Sequence, residues 1–83
     1  MTTTSQTAYL IELHPVEIFR TNVLNSLQAQ VLIAELLRRF PWYRINFDLE
    51  DRDRILRVEG QNILPHQIIA LLNSLNFDCE IIQ

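Results

Sequence analysis

From Arg44 to Glu50 the chain reads Arg-Ile-Asn-Phe-Asp-Leu-Glu, alternating polar and apolar residues without error. Successive side chains of a strand point to opposite faces, so a period of two predicts a strand with Ile45, Phe47 and Leu49 turned inward. Asp51-Arg52-Asp53 then reads as a polar turn, and Ile55-Leu56-Arg57-Val58-Glu59 as the returning strand with Leu56 and Val58 inward. A hairpin at the centre of an 83-residue chain restricts what can surround it. Its one apolar face must be covered, and the chain is long enough for a single domain with a modest core.

The covering elements are legible on both sides. Ala29, Ile33, Leu36, Leu37 and Phe40 fall within an arc of about 100° when wound as a helix, which marks a core stripe. Asn25 or Ser26 suits its N-cap, Arg38 and Arg39 suit the negative end of its dipole, and Pro41 stops it. A second helix begins at Pro65, with Leu64, Ile68, Leu71, Leu72 and Leu75 as its stripe and Asn76 as a left-handed cap. Val16 to Arg20 and Phe77 to Ile82 read as the first and last strands. Two strand-helix-strand units around a hairpin predict an α+β, ferredoxin-like βαββαβ sandwich, with an antiparallel four-stranded sheet carrying both helices on one face.

Residues 1–7 are Thr-rich and polar, a composition that predicts no fixed structure. Residues 8–14 contain the apolar stretch Tyr9-Leu10-Ile11-Glu12-Leu13, which Pro15 separates from the first strand. This stretch reads as an extra strand or arm that adds to a sheet edge, in its own chain or in a neighbour's. Residues 15–83 then form the domain.

Between about Val16 and Ile82 the chain resembles the heavy-metal-associated domain family of small copper and zinc carriers. Three features carry the resemblance: the segment spacing, the hairpin Ile45–Glu59, and the ending Leu72-Asn73-Ser74-Leu75-Asn76-Phe77-Asp78-Cys79-Glu80-Ile81. Metal-carrying members place Cys-x-x-Cys in the loop leading into the first helix. Here that loop reads Thr21-Asn22-Val23-Leu24-Asn25-Ser26, without a thiol. A soft Cu(I) or Zn(II) ion held by two thiolates needs both sulfurs at that spacing, so the resemblance implies the scaffold without its metal function.

Few other residues offer chemistry. Cys79 is the sole cysteine, and alternation places it with Phe77 and Ile81 on the core face as a small hydrophobe. His14 and His66, with Cys79, are the weak metal candidates, and nothing in the sequence brings them together. A carrier using these ligands, completed by a second chain, is the alternative reading. Glu50, Asp51 and Asp53 are interleaved with Arg52 and Arg54 as a solvated turn. Seven arginines against ten acids give a net charge of −3, which opposes nucleic-acid or anionic-membrane binding. With no Gly-rich loop and no nucleophile–base pair, the chain reads as non-enzymatic and without a cofactor. No basic n-region or long apolar run is present, so a cytoplasmic protein is expected.

What remains is contact surface. Alternation assigns Glu17, Phe19, Arg44, Asn46, Asp48, Ile55, Arg57, Glu59, Asp78, Glu80 and Ile82 to the open sheet face, where Phe19 would serve a partner. Leu27, Val31 and Ala34 form a second apolar edge on the first helix, continued by Leu24 in the loop, an edge that either marks a contact site or packs under the N-terminal segment. Phe19, Leu24, Leu27, Val31 and Ala34, with Tyr9 and Ile11 of the arm, are the candidate interaction residues for a protein partner or homodimer.

Overall fold

The computed structural model describes residues 15–82. The predictions made for residues 1–14, including Tyr9, Ile11 and His14, lie outside the described residues. The elements follow in the order β1 (Val16–Thr21), α1 (Ser26–Arg39), β2 (Arg44–Asp48), β3 (Ile55–Glu59), α2 (Pro65–Ser74) and β4 (Cys79–Ile81). All strand pairs are antiparallel, in the spatial order β2-β3-β1-β4. Residues 15–82 form an α+β fold with a four-stranded sheet and two helices, and no helix among the described residues is long and apolar enough to cross a membrane.

Cross-strand register fixes which side chains share a face. Phe47 pairs with Leu56, Leu56 with Phe19, and Phe19 with Ile81, while Ile45 pairs with Val58 and Thr21 with Cys79. These residues line the covered face. Phe19, Leu56 and Val58 are fully buried, and they join Val23, Leu32, Leu36, Ile68 and Leu72 in one core cluster that both helices close. The sequence placed Phe19 on the open face; the structure puts it at the centre of the core. Val16-Glu17-Ile18-Phe19-Arg20 has apolar residues at both parities, so alternation could not choose between them. The choice follows from bulk and from Thr21, which shares the parity of Phe19 and is held inward. The open face of β1 therefore carries Val16, Ile18 and Arg20.

Local chemistry accounts for the element ends. Asn25 caps α1 by accepting the Gln28 amide at 2.9 Å, and the Gln28 side chain accepts the Leu24 amide at 2.9 Å. The first bond satisfies one of the helix's unpaired N-terminal donors, and the second reaches one residue past the cap to hold the entering chain. At the end of α2, Asn76 has φ 71°, its N–H donates to the Asn73 carbonyl, and the Phe77 N–H donates to Leu72 at 2.9 Å. This is a Schellman closure, with asparagine in the left-handed position. Leu64 and Leu75, expected in the α2 stripe, flank the helix instead and are 41% and 38% exposed.

The end of the sheet opposite the α1 N-terminus is fastened by aromatics. Tyr43 stacks on Phe40 at 4.8 Å, donates its hydroxyl hydrogen to the Asn62 carbonyl and accepts the Leu64 N–H at 3.0 Å. Gly60, the only glycine, lies beneath it at φ 156°, where an added Cβ would come within 3.1 Å of the Tyr43 ring. Any other residue would be strained by that backbone angle and would need the ring to give by a few tenths of an ångström.

Candidate functional site

The loop at 21–26 that leads into α1 is an internally bonded join. Thr21 donates its hydroxyl hydrogen to the Arg54 carbonyl and accepts the Val23 N–H at 3.2 Å. Val23 is fully buried, so the loop turns one side chain into the core. Asn22 donates to Asp78 at 3.1 Å and accepts the Asp78 N–H at 2.9 Å, which fixes the loop to the start of β4. The Arg54 guanidinium donates to the carbonyls of Leu24 (3.2 Å) and Leu49 (3.1 Å), tying the β2–β3 turn to the segment that enters α1. The sequence grouped Arg54 with the solvated turn charges. Its left-handed backbone, φ 47°, is what aims the side chain back across the loop, and no sequence pattern signals that.

Beside this join lies a cleft of about 380 Å³ between the end of β1 and the start of β4. Charged groups along it are engaged, Asp78 with Asn22 and Glu80 with Arg20. Arg20 pairs with Glu80 and with Asp53 at 3.6 Å, and these partners, the Glu80 hydrogen bond foremost, raise its guanidinium pKa further. Cys79 borders the cleft with its side chain turned to the core. Burial, helped by the charge of Glu80, pushes its thiol up to about 12. Such a thiol is protonated at neutral pH and is a poor nucleophile and a poor metal ligand. His66 is exposed in the first turn of α2, whereas Cys79 follows the C-terminal end of that helix, so the helix's rise alone sets them roughly 12 Å apart. Among the described residues, no three His, Cys, Asp or Glu side chains lie together closely enough to hold a metal ion.

The outer face of α1 is built differently. Wound at 100° per residue, Leu27, Val31 and Ala34 lie within about 60° of one another, on the side opposite Ala29, Leu32 and Leu36. Leu27 is 69% exposed and Val31 53%, and Leu24, just before the N-cap, is 66% exposed. Ala34 is also exposed. Leu27, Val31 and Ala34 follow the 4-3 spacing of a helix-pairing seam, and Leu24 is exposed beyond its N-terminal end, outside the helical winding. Arg38 continues the line, paired with Glu35 at 3.4 Å. α1 is thus apolar on two opposite sides, one sealed and one open. Of the sequence-stated interaction residues within 15–82, the structure brings these four together and leaves Phe19 out.

One exposed aromatic escaped the sequence reading. Trp42 is 57% exposed, edge-on to Phe40 and Tyr43, with its indole N–H donating to the Gln61 carbonyl at 3.3 Å. It follows the helix-ending Pro41, outside any periodic segment, so neither period reported on it.

Comparison with known protein families, with curated proteins and with solved structures gives no match. The site must be read from its own geometry.

Proposed function

We propose that this chain is a non-enzymatic interaction module that docks a protein through the outer face of α1 and holds no thiolate-bound metal. The reading treats the fold as a ferredoxin-like sandwich akin to the heavy-metal-associated domains, which the element order and the sheet order β2-β3-β1-β4 support. Its motive for dropping the metal is chemical: the loop at 21–26 offers hydroxyl and amide groups, and the one thiol faces the core. A soft ion has no paired sulfur donors there.

The observation that carries the reading is the open seam of Leu24, Leu27 and Val31, each more than half exposed. Large side chains that the fold itself does not need, aligned on a rigid helix, are what helix-in-groove and helix-pairing recognition use. The open sheet face is a weaker candidate. Among the described residues it bears no aromatic side chain for base stacking, and four of its charges are taken up in pairs, Arg57 with Glu59 at 3.2 Å and Arg20 with Glu80.

Two measurements test the proposal. Cu(I) and Zn(II) titrations under reducing conditions, on wild type and Cys79→Ser, should show no binding tighter than about micromolar. Tight binding lost in the variant would restore the carrier reading. Affinity capture with wild type and with Leu27→Glu/Val31→Glu as bait should retain a protein that the variant loses. Identical captured sets would remove the seam from the account.

A further inference from the structure

The charges at the two ends of the seam select one kind of occupant. The N-terminal end of α1 abuts the β2–β3 turn, because Arg54 joins the Leu24 and Leu49 carbonyls and the Thr21 N–H donates to Asp53 at 3.0 Å. That end carries the exposed acids Glu50 and Asp51 of the turn, with Arg52 beside them and Asp53 paired to Arg20. The C-terminal end carries the exposed arginines Arg38 and Arg39, while Arg44 at the start of β2 belongs to the open face of the sheet. Among the described residues Arg39 makes no ion pair, and Glu35 engages only Arg38. An apolar seam therefore runs from an acidic end to a basic end.

A surface of that kind complements its own reverse. We propose that the occupant of the α1 face is a second copy of this chain, with the two α1 helices packed antiparallel about a twofold axis near Ala29. In that register Leu27 lies against Val31 of the second copy, the a-to-d' pairing of antiparallel helices, and Ala34 faces the end of the seam where Leu24 enters the helix. The same operation sets Arg38 and Arg39 of each copy over Glu50 and Asp51 of the other. An isologous contact needs this self-complementarity, and a parallel pairing would oppose like charges at both ends. The proposal rests on the reading of α1 as a docking face and names what docks there.

One helix against another gives an interface at the small end of specific contacts, below about 1,200 Å² in total. The dimer is accordingly weak, with a dissociation constant on the order of 10–100 µM, and sensitive to salt.

Sedimentation equilibrium of the full chain over a micromolar-to-millimolar range tests it, with circular dichroism confirming that each variant is folded. Wild type should dimerise, and Leu27→Glu/Val31→Glu should be monomeric throughout. Arg38→Glu/Arg39→Glu and Glu50→Arg/Asp51→Arg should each weaken self-association at least about tenfold. Mixed together, those two charge variants should form a heterodimer, because each then meets the opposite charge at both ends. A wild type that stays monomeric, a dimer indifferent to residues 27 and 31, or charge variants that fail to pair on mixing would each overturn the proposal. If the chain is monomeric yet binds a different protein at this seam, self-pairing is refuted while the docking reading survives.

Discussion

The two sides of α1 use the same kinds of residue to opposite ends. Leu32 and Leu36 have no exposed surface, whereas Leu27 and Val31, on the same fourteen-residue helix, are more than half in solvent. Composition does not separate the two faces; position relative to the sheet does. Burying such a side chain contributes roughly 1.5–3 kcal/mol. The inner face has drawn that stabilisation already, and the outer face still holds it in reserve for another surface.

If the two helices seal the core, Cys79, on the strand that packs against α2, should be chemically silent. With its thiol pushed from 9.0 to about 12, the thiolate fraction near pH 8 falls about a thousandfold. A disulfide reagent should modify native Cys79 at least that much more slowly than the urea-unfolded chain; equal rates would show that the seal is open. The same shift sets a pH dependence. The folded state holds the proton more tightly, so this contribution is intact below pH 9 and lost as pH rises from 9 toward 12. Cys79→Ala should flatten that part of the alkaline stability curve.

Truncation on the two faces sharpens the contrast further. Leu32→Ala or Leu36→Ala should each cost about 2–5 kcal/mol in urea unfolding, through lost burial and the cavity left behind. Asn25→Ala, which leaves the Gln28 amide without its side-chain acceptor, should cost about 1 kcal/mol. Leu27→Ala and Val31→Ala should lie within about 0.5 kcal/mol of wild type when measured at low concentration. A loss of 2 kcal/mol or more at Leu27 would show that the outer side chains serve the fold.

Much of this architecture was written in periodicity. The error-free alternation at 44–50, the stripe from Ala29 to Phe40, Pro65 and Asn76 placed the hairpin and both helices within a few residues. β1 was harder, because a strand with apolar residues on both parities does not declare its inward face. Register with Leu56 and Cys79 decides it, and those pairings are long-range. The second apolar line on α1 was visible as a pattern, but its exposure depends on how far the sheet and α2 reach around the helix. Trp42, Tyr43 and Arg54 lie outside the periodic segments or depend on a single backbone angle, and only the folded geometry shows what they fasten. The charge polarity along the seam comes from bringing the β2–β3 turn to the N-terminus of α1, two regions more than twenty residues apart.

Amide spectra of the ¹⁵N-labelled chain across a dilution series follow both faces of the first helix at once. Concentration-dependent shifts should gather at residues 24, 27, 31, 34 and 38 and at the turn around 50–51, while amides over the core and on the open side of the sheet stay fixed. Spectra that do not change from micromolar to millimolar, or changes confined to the open side of the sheet, would contradict a helix built to be covered by its own copy.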